Sequence, residues 1–168
     1  MNQREIPSNS TVSRYLPGAD FFDCFQIQIG HSDLTAMEAF LSIMSRTPCW
    51  IDRLMVIRNR VVKLFGLKNL GRLSAVDKSK PAGSYKVGDR VGIFSIAHLS
   101  DDEVVLMDSD RHLDVKVALQ KSPDGDESCI AVSTIVHIHN RLGRIYMFFV
   151  GPIHKLIVPA TLSRLATK

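Results

Sequence analysis

Three stretches hold side chains whose types and spacing could do chemistry. In DSDRHLDVKV, residues 108–117, Asp110, Arg111, His112 and Asp114 stand just before an alternating apolar run. An imidazole held by a neighbouring carboxylate can act as a general base, and the same groups also make an ordinary polar cross-strand cluster. Strand alternation puts His112, Asp114 and Lys116 on one face and Leu113, Val115 and Val117 on the other. The aliphatic set is therefore expected inside and the polar set outside. No serine or cysteine stands at a recognised nucleophile spacing. Further on, His137 and His139 share one strand face. If their strand pairs beside RHLDV, His112 or Asp114 could complete a divalent-metal set. A pair of solvent-facing histidines is the competing reading, and no metal or other cofactor is assigned.

Arg58 and Arg111 suit anion contact better than catalysis, because a guanidinium offers a rigid fork of donors to carboxylate or phosphate. Arg58 follows Ile57 on an apolar stripe and should flank the core; an internal ion pair to Asp110 or Asp114 is its alternative role. On the last segment His154 lies beside Ile153, and Tyr146 could aim its hydroxyl at the same interior. Phe149 lies on that segment's apolar stripe. Arg58, Arg111, Tyr146, Phe149 and His154 are thus the candidate ligand-binding residues, with Asp110, His112 and Asp114 as a polar cluster.

The elements that must position these groups follow from hydrophobic period. In DFFDCFQIQIG, residues 20–30, Phe25, Ile27 and Ile29 alternate with Gln26 and Gln28, which reads as a half-buried strand. Leu34, Met37, Phe40, Leu41 and Met44 recur at helical spacing, with Ser32 or Asp33 expected as the cap. Thr47 and Pro48 should open a second helix as N-cap and first residue. Its stripe is Trp50, Leu54, Ile57, Val61 and Leu64, and Gly66 is its expected stop. Residues 67–86 read as a long loop, either a lid over a cavity or a mobile connection.

From Val87 to Asn140 the pattern is an antiparallel meander of about four strands. RVGIFSIAHL, EVVLMD, RHLDVKVAL and CIAVSTIVHIHN are separated by SDDE, Ser109-Asp110 and the hairpin signal SPDGD. Val132, Thr134, Val136 and Ile138 share one face of the last strand. After Asn140 the step becomes three or four residues, through Leu142, Ile145, Phe149, Ile153 and Leu156. This favours one long helix capped by Asn140 and kinked near Gly151-Pro152. The rival reading makes 144–150 a strand and starts the helix at Pro152. Ile145, Phe149, Ile153 and Leu156 are expected to face the sheet.

Composition sets the outer bounds. The 168 residues are 45% hydrophobic and 23% charged, which suits one folded domain. Residues 1–14 read as a flexible arm and 15–168 as the domain. The formal charge of +4 comes from scattered Lys and Arg, without nucleic-acid motifs, so no nucleic-acid partner is assigned. Cys24, Cys49 and Cys129 form no disulfide framework, and with no signal segment at the N-terminus a cytoplasmic location is expected. IYMFFVGPIHKLIVPATL, residues 145–162, is largely apolar, but His154, Lys155 and two prolines interrupt it. A buried core helix is expected, without integral membrane association.

TPCWIDRLMVIRNRVVKLFGL, SDRHLDVKV and STIVHIHNRLGRIYMFFVGPIHKLIV, with the entry YLPGADFFDCFQI, resemble the bacterial DUF2867 family, a domain of unknown function. The resemblance runs from Tyr15 to Leu165. Its motif residues correspond here to Trp50, Arg58, Gly66 and Leu67, then Asp110 to Asp114, then Asn140, Gly143, Tyr146, Pro152 and His154. Where the family often has glycine before the acidic turn, this chain has Met107-Asp108. In that family the domain occurs alone or behind a nucleotide-binding, epimerase-like domain. The family is similar to the helix-grip superfamily of lipid carriers and cyclase-like proteins.

Period and resemblance point to one fold class: α+β, a curved antiparallel sheet wrapped on a long C-terminal helix, with two short helices after the first strand. The functional expectation is a small hydrophobic or amphipathic ligand held between sheet and terminal helix. Two alternatives stand beside it. One is a cyclase- or dehydratase-like enzyme using His154, Tyr146 or Arg58. The other is a non-catalytic interaction module beside a nucleotide-binding oxidoreductase or epimerase, or a homodimer.

Overall fold

The structure is a computed structural model that describes residues 5–30, 33–63, 71, 76–77, 79–124 and 127–166. Strand β1 (Phe21–Ile29) is followed by helices α1 (Ala36–Ser45) and α2 (Cys49–Lys63). Strands β2 (Arg90–Val91), β3 (Phe94–Leu99), β4 (Glu103–Ser109), β5 (Leu113–Asp124) and β6 (Glu127–Ile138) come next, and α3 (Arg141–Ala166) closes the chain. The six strands form one sheet in the order β1-β6-β5-β4-β3-β2. Every pair is antiparallel. The fold is α+β and helix-grip-like, with the long helix packed against the sheet.

The meander differs from the sequence reading at one place. RVGIFSIAHL is not a single strand; it turns at Gly92 and Ile93 between β2 and β3. Gly92 has φ +56°, a left-handed conformation that glycine enters without a Cβ penalty. A register shift between Ile96 and His98 marks a bulge in β3, the usual device for bending a sheet. The β5–β6 hairpin pairs in register from Leu113↔Ile138 out to Asp124↔Glu127, as the SPDGD signal implied.

The helix starts lie one to three residues from the positions that the capping pattern predicts. Thr35, not Ser32 or Asp33, caps α1, in a reciprocal capping box with Glu38. The Thr47 hydroxyl donates to the Met44 carbonyl at 2.8 Å, closing α1 rather than opening α2. Pro48 stands just before α2, and its carbonyl accepts from the Ile51 N–H at 2.9 Å.

Two helix faces also differ from those the apolar stripes predict, and both differences bear on the site. On α2, Trp50 and Ile57 are exposed, whereas Ile51 is fully buried. The helix is apolar at both 50, 54, 57 and 51, 55, so period alone admits either face. The Val61 side chain, Leu64 and the expected stop at Gly66 lie outside the described residues.

On α3 the single long helix is confirmed, with Pro152 and Pro159 inside it and the Asn140 side chain accepting from the Gly143 N–H at 3.1 Å. However, Ile145, Phe149, Ile153 and Leu156 are exposed, and the face turned inward carries Val150, His154, Val158 and Leu162. Gly143 accounts for the orientation. A Cβ there would lie 2.4 Å from the His112 carbonyl oxygen, so only a glycine face can come this close to the end of the hairpin. The Arg141–Leu165 segment is long and apolar enough to cross a membrane by length and composition, yet only 22% of its most apolar 18-residue window is buried. It is a half-covered helix, not the buried core helix expected.

The sheet is covered on both faces. On one, Phe25, Leu106, Leu119 and Ile130 form the main core with Met37, Phe40 and Ile43 of α1 and Val158 and Leu162 of α3. On the other, Val105, Ala118 and Ile135 pack with Val12. Within the segment 1–14, expected as a flexible arm, Ser10, Thr11 and Val12 lie against this second face. Ser10 and the Thr11 N–H donate to the buried Glu103 carboxylate, and Val12 is fully buried. No local pattern marks this anchor, because its partner is 92 residues away. Of the long loop at 67–86, residues 67–70, 72–75 and 78 lie outside the described residues, and the lid reading lies there with them. Its later part holds a short 3-10 turn at Ala82–Ser84 and the buried Tyr85.

Candidate functional site

Between the inner sheet face and the three helices lies a partly enclosed cavity of about 200 Å³. Alternation in β5 and β6 builds its floor: Leu113, Val115, Val117 and Leu119 beside Val132, Thr134 and Val136, as the period-2 pattern required. Phe40 and Ile43 of α1, Ile51 and Met55 of α2, and Met147, Val150 and Ile157 of α3 complete an apolar wall. Polar groups enter at a few places only: Arg58, Asp108, Asp110, Thr134, Tyr146, His154 and Thr161. An apolar enclosure with few polar groups is the usual form of a small-molecule site.

The most organised polar group is centred on His154. Its Nδ1 lies 3.0 Å from Asp23 Oδ2, and its Nε2 lies 3.5 Å from Thr134 Oγ1. Phe21 meets the imidazole edge-on at 6.0 Å. Asp23 and Thr134 are direct cross-strand partners in the β1–β6 register, so the sheet presents carboxylate and hydroxyl side by side beneath the helix. A carboxylate only accepts, so Nδ1 carries the proton it shares with Asp23, and in the neutral ring Nε2 is left as an acceptor. Asp23 is fully buried, and its Oδ1 has no hydrogen-bond partner. Burying a carboxylate with one oxygen unsatisfied costs stability unless the charge is compensated.

Asp23 was missed as a site residue, although a signal existed. It falls in the same odd-numbered phase as Phe25, Ile27 and Ile29, the phase read as inward. An aspartate on the apolar side of a strand needs a partner inside the fold.

The second polar group lies near the start of α3. Arg58 Nε donates to Tyr146 Oη at 3.2 Å, and the guanidinium carbon sits 5.3 Å from the ring centroid. Arg58 Nη1 also donates to Asn59 Oδ1 at 2.9 Å. With Ile51 and Met55, Arg58 occupies the inner face of α2, and this places it in the cavity wall. The rotation of α2 away from its expected stripe thus moves Arg58 from the flank into the lining. Tyr146 and His154 are eight residues apart, about 12 Å along the helix at 1.5 Å per residue.

The DSDRHLD stretch divides between cavity and scaffold. Asp110 lines the cavity, and its Oδ1 accepts from the backbone N–H groups of His112 at 2.6 Å and Leu113 at 3.1 Å, which fixes the turn. His112 was expected to project outward, but it is buried. Its Nδ1 lies 3.1 Å from Asn140 Oδ1, and the Arg111 Nε donates to its Nε2 at 2.9 Å. Asn140 caps α3, so His112 joins the hairpin to the helix and is placed as a structural group. Arg111 is exposed and does not line the cavity. Phe149 is 64% exposed, on the outer face of α3 and away from the cavity.

Asp114 faces outward as expected. Its carboxylate accepts from Ser109 Oγ and lies 3.3 Å from His139 Nε2. Partial burial pushes its pKa up, but the hydrogen bonds from Ser109 and His139 outweigh that and hold it below the usual value. His139 is thus taken by Asp114, while His137 Nε2 lies 3.4 Å from the Pro17 carbonyl oxygen. Strands β5 and β6 do pair as the metal alternative required, but the His112 side chain turns toward Asn140. Among the described residues no group of three or more His, Cys, Asp or Glu could hold a metal ion.

The profile of the family described as "Protein of unknown function (DUF2867)" matches residues 15–161. The chain belongs to this family. The matched region of DUF2867 runs from the end of the N-terminal anchor, across the whole sheet, to the inner residue Thr161 of α3, so it contains every cavity-lining group except Leu162. A comparison with curated proteins found no match.

Proposed function

We propose that this DUF2867 domain binds a small, mostly apolar ligand between the sheet and α3, with polar groups of the ligand meeting His154 and Arg58–Tyr146. The observation that carries this reading is the apolar cavity of about 200 Å³ with its few polar groups. An apolar cavity of roughly 150 Å³ accepts a benzene-sized molecule. This one suits a substituted ring or a short branched chain rather than a long acyl lipid. The separation of Tyr146 and His154 along α3 favours a ligand with polar groups at opposite ends.

Equilibrium dialysis with 4-nitroanisole, a neutral aromatic of suitable size, tests the reading. Saturable one-to-one binding is expected, together with a rise in melting temperature. Val117→Phe, which puts a ring into the floor of the cavity, should abolish it. Binding that is absent, or unchanged in Val117→Phe, overturns the proposal.

A further inference from the structure

We propose that Asp23 and His154 form a proton-accepting site for a ligand with an acidic hydroxyl, a phenol or an enol, whose ring or chain lies in the apolar cavity. The proposal rests on the ligand-binding reading above and adds the chemical class of the ligand. The ligand O–H would meet His154 Nε2, the nitrogen left as acceptor when Nδ1 shares its proton with Asp23 at 3.0 Å. Transfer breaks the ligand O–H bond and forms an Nε2–H bond. The negative charge stays on the ligand oxygen, and the imidazolium lies between that oxyanion and Asp23. Thr134 Oγ1, 3.5 Å from Nε2, is placed to donate to the same ligand oxygen.

The unpartnered, buried Oδ1 of Asp23 is the reason for preferring proton transfer to a neutral hydrogen bond. A buried carboxylate beside a neutral imidazole is an uncompensated charge; beside an imidazolium it is a pair. Proton transfer from the ligand leaves an imidazolium 3.0 Å from that carboxylate, as a pair. Phe21, edge-on to the ring, excludes water from one side and strengthens that pairing. Other charged groups facing the cavity are Arg58 on α2, and Asp108 and Asp110 at the β4–β5 end. The two carboxylates disfavour an anion at their end of the cavity, and loss of the ionisation shift in His154→Gln distinguishes proton transfer to His154 from anion contact at Arg58.

The test uses 4-nitrophenol, whose ionised form absorbs in the visible, with 4-nitroanisole as the isostere that has no proton to give. In the full chain, bound 4-nitrophenol should ionise at lower pH than free probe. At the free probe's midpoint the ionised fraction should rise from half to about nine-tenths, a tenfold change in the equilibrium. His154→Gln should abolish the shift and Asp23→Asn should reduce it, while both variants keep 4-nitroanisole binding, which also reports that they are folded. If 4-nitrophenol binds the wild-type chain without a change in ionisation, or keeps the shift in His154→Gln, the proton-accepting site is overturned and the cavity reading stands. If neither probe binds, both fall.

A separate observation carries a second inference. We infer that the outer face of α3 rests on an anionic lipid surface. Phe148 is 77% exposed, and Ile145, Phe149 and Leu156 lie exposed on the same side. Arg141, Arg144 and Lys155 flank this apolar face, all exposed, and the sequence from 141 to 168 contains no Asp or Glu. An apolar helix face edged by cations and free of acids fits the boundary of a bilayer with negative headgroups. A second copy fits less well, because it would bring the same basic flank against itself without an acid to pair.

Co-sedimentation with phosphatidylcholine vesicles, with and without phosphatidylglycerol, decides this. Binding should require the anionic lipid, weaken several-fold with added salt, and be lost in the double substitution Phe148→Ser and Phe149→Ser. No binding to either vesicle overturns the inference. So does a concentration-dependent dimer in sedimentation velocity that the same double substitution dissociates.

Discussion

Helix α3 has an inner and an outer face of nearly equal hydrophobicity and opposite environment. The inner one presents Val150, His154, Val158 and Leu162 to the sheet, the cavity and α1; the outer one presents Ile145, Phe148, Phe149 and Leu156 to solvent. Bulk separates them better than polarity does. The inner side contains Gly143 and Gly151, which approach the His112 carbonyl and the Phe21 ring, and the aromatic bulk is on the outside. A helix packs closely where its side chains are small enough to admit the neighbouring backbone, so apolarity alone does not select the buried side.

The sharpest way to break this comparison is Leu162→Ala. Leu162 is fully buried in the core with α1, and its truncation should cost about 2–5 kcal/mol in denaturant unfolding. A loss below about 1 kcal/mol would mean that the inner side is not packed. Next in size is Gly143→Ala. Its Cβ would collide with the His112 backbone, so about 1–3 kcal/mol should be lost, with a shift of the His112 and Asn140 resonances by NMR.

The comparison sharpens on α2, where Ile51 and Ile57 differ only in face. Ile51→Ala should destabilise by about 2 kcal/mol, at the low end because it borders a cavity. Ile57→Ala should stay within about 0.5 kcal/mol. The smallest effect belongs to the outer side of α3. Phe149→Ala should also fall within about 0.5 kcal/mol, and a cost of several kcal/mol would return Phe149 to the core.

Asp114 provides a pH test away from the helix. Its folded pKa lies below the unfolded value, so its contribution is present above the unfolded carboxylate range and is lost as pH falls through the folded pKa. Asp114→Asn should therefore flatten the acid limb of a stability-against-pH curve and leave its shape above neutrality unchanged.

Much of this molecule could be read from its residues. Period-2 alternation located β1, β4, β5 and β6, and it assigned the inward faces of β5 and β6 correctly, because a strand has only two sides and one of them was aliphatic. The SPDGD turn determined the hairpin register. The change of period at Asn140, with an amide able to cap, determined the long helix. His154 and Tyr146 were legible as cavity groups because they share a helix with the core residues.

Tertiary structure decided what periodicity leaves degenerate. Helices α2 and α3 are apolar around more than half their circumference, so rotation was settled by close approach at Gly143 and by Ile51 seating in the core. That rotation put Arg58 into the cavity wall and Phe149 out of it. The N-terminal anchor and the Asp23–His154 pair join residues 92 and 131 positions apart. No local pattern encodes such a contact, because the partner is defined only once the sheet has brought β1 beside β6 and α3 across them.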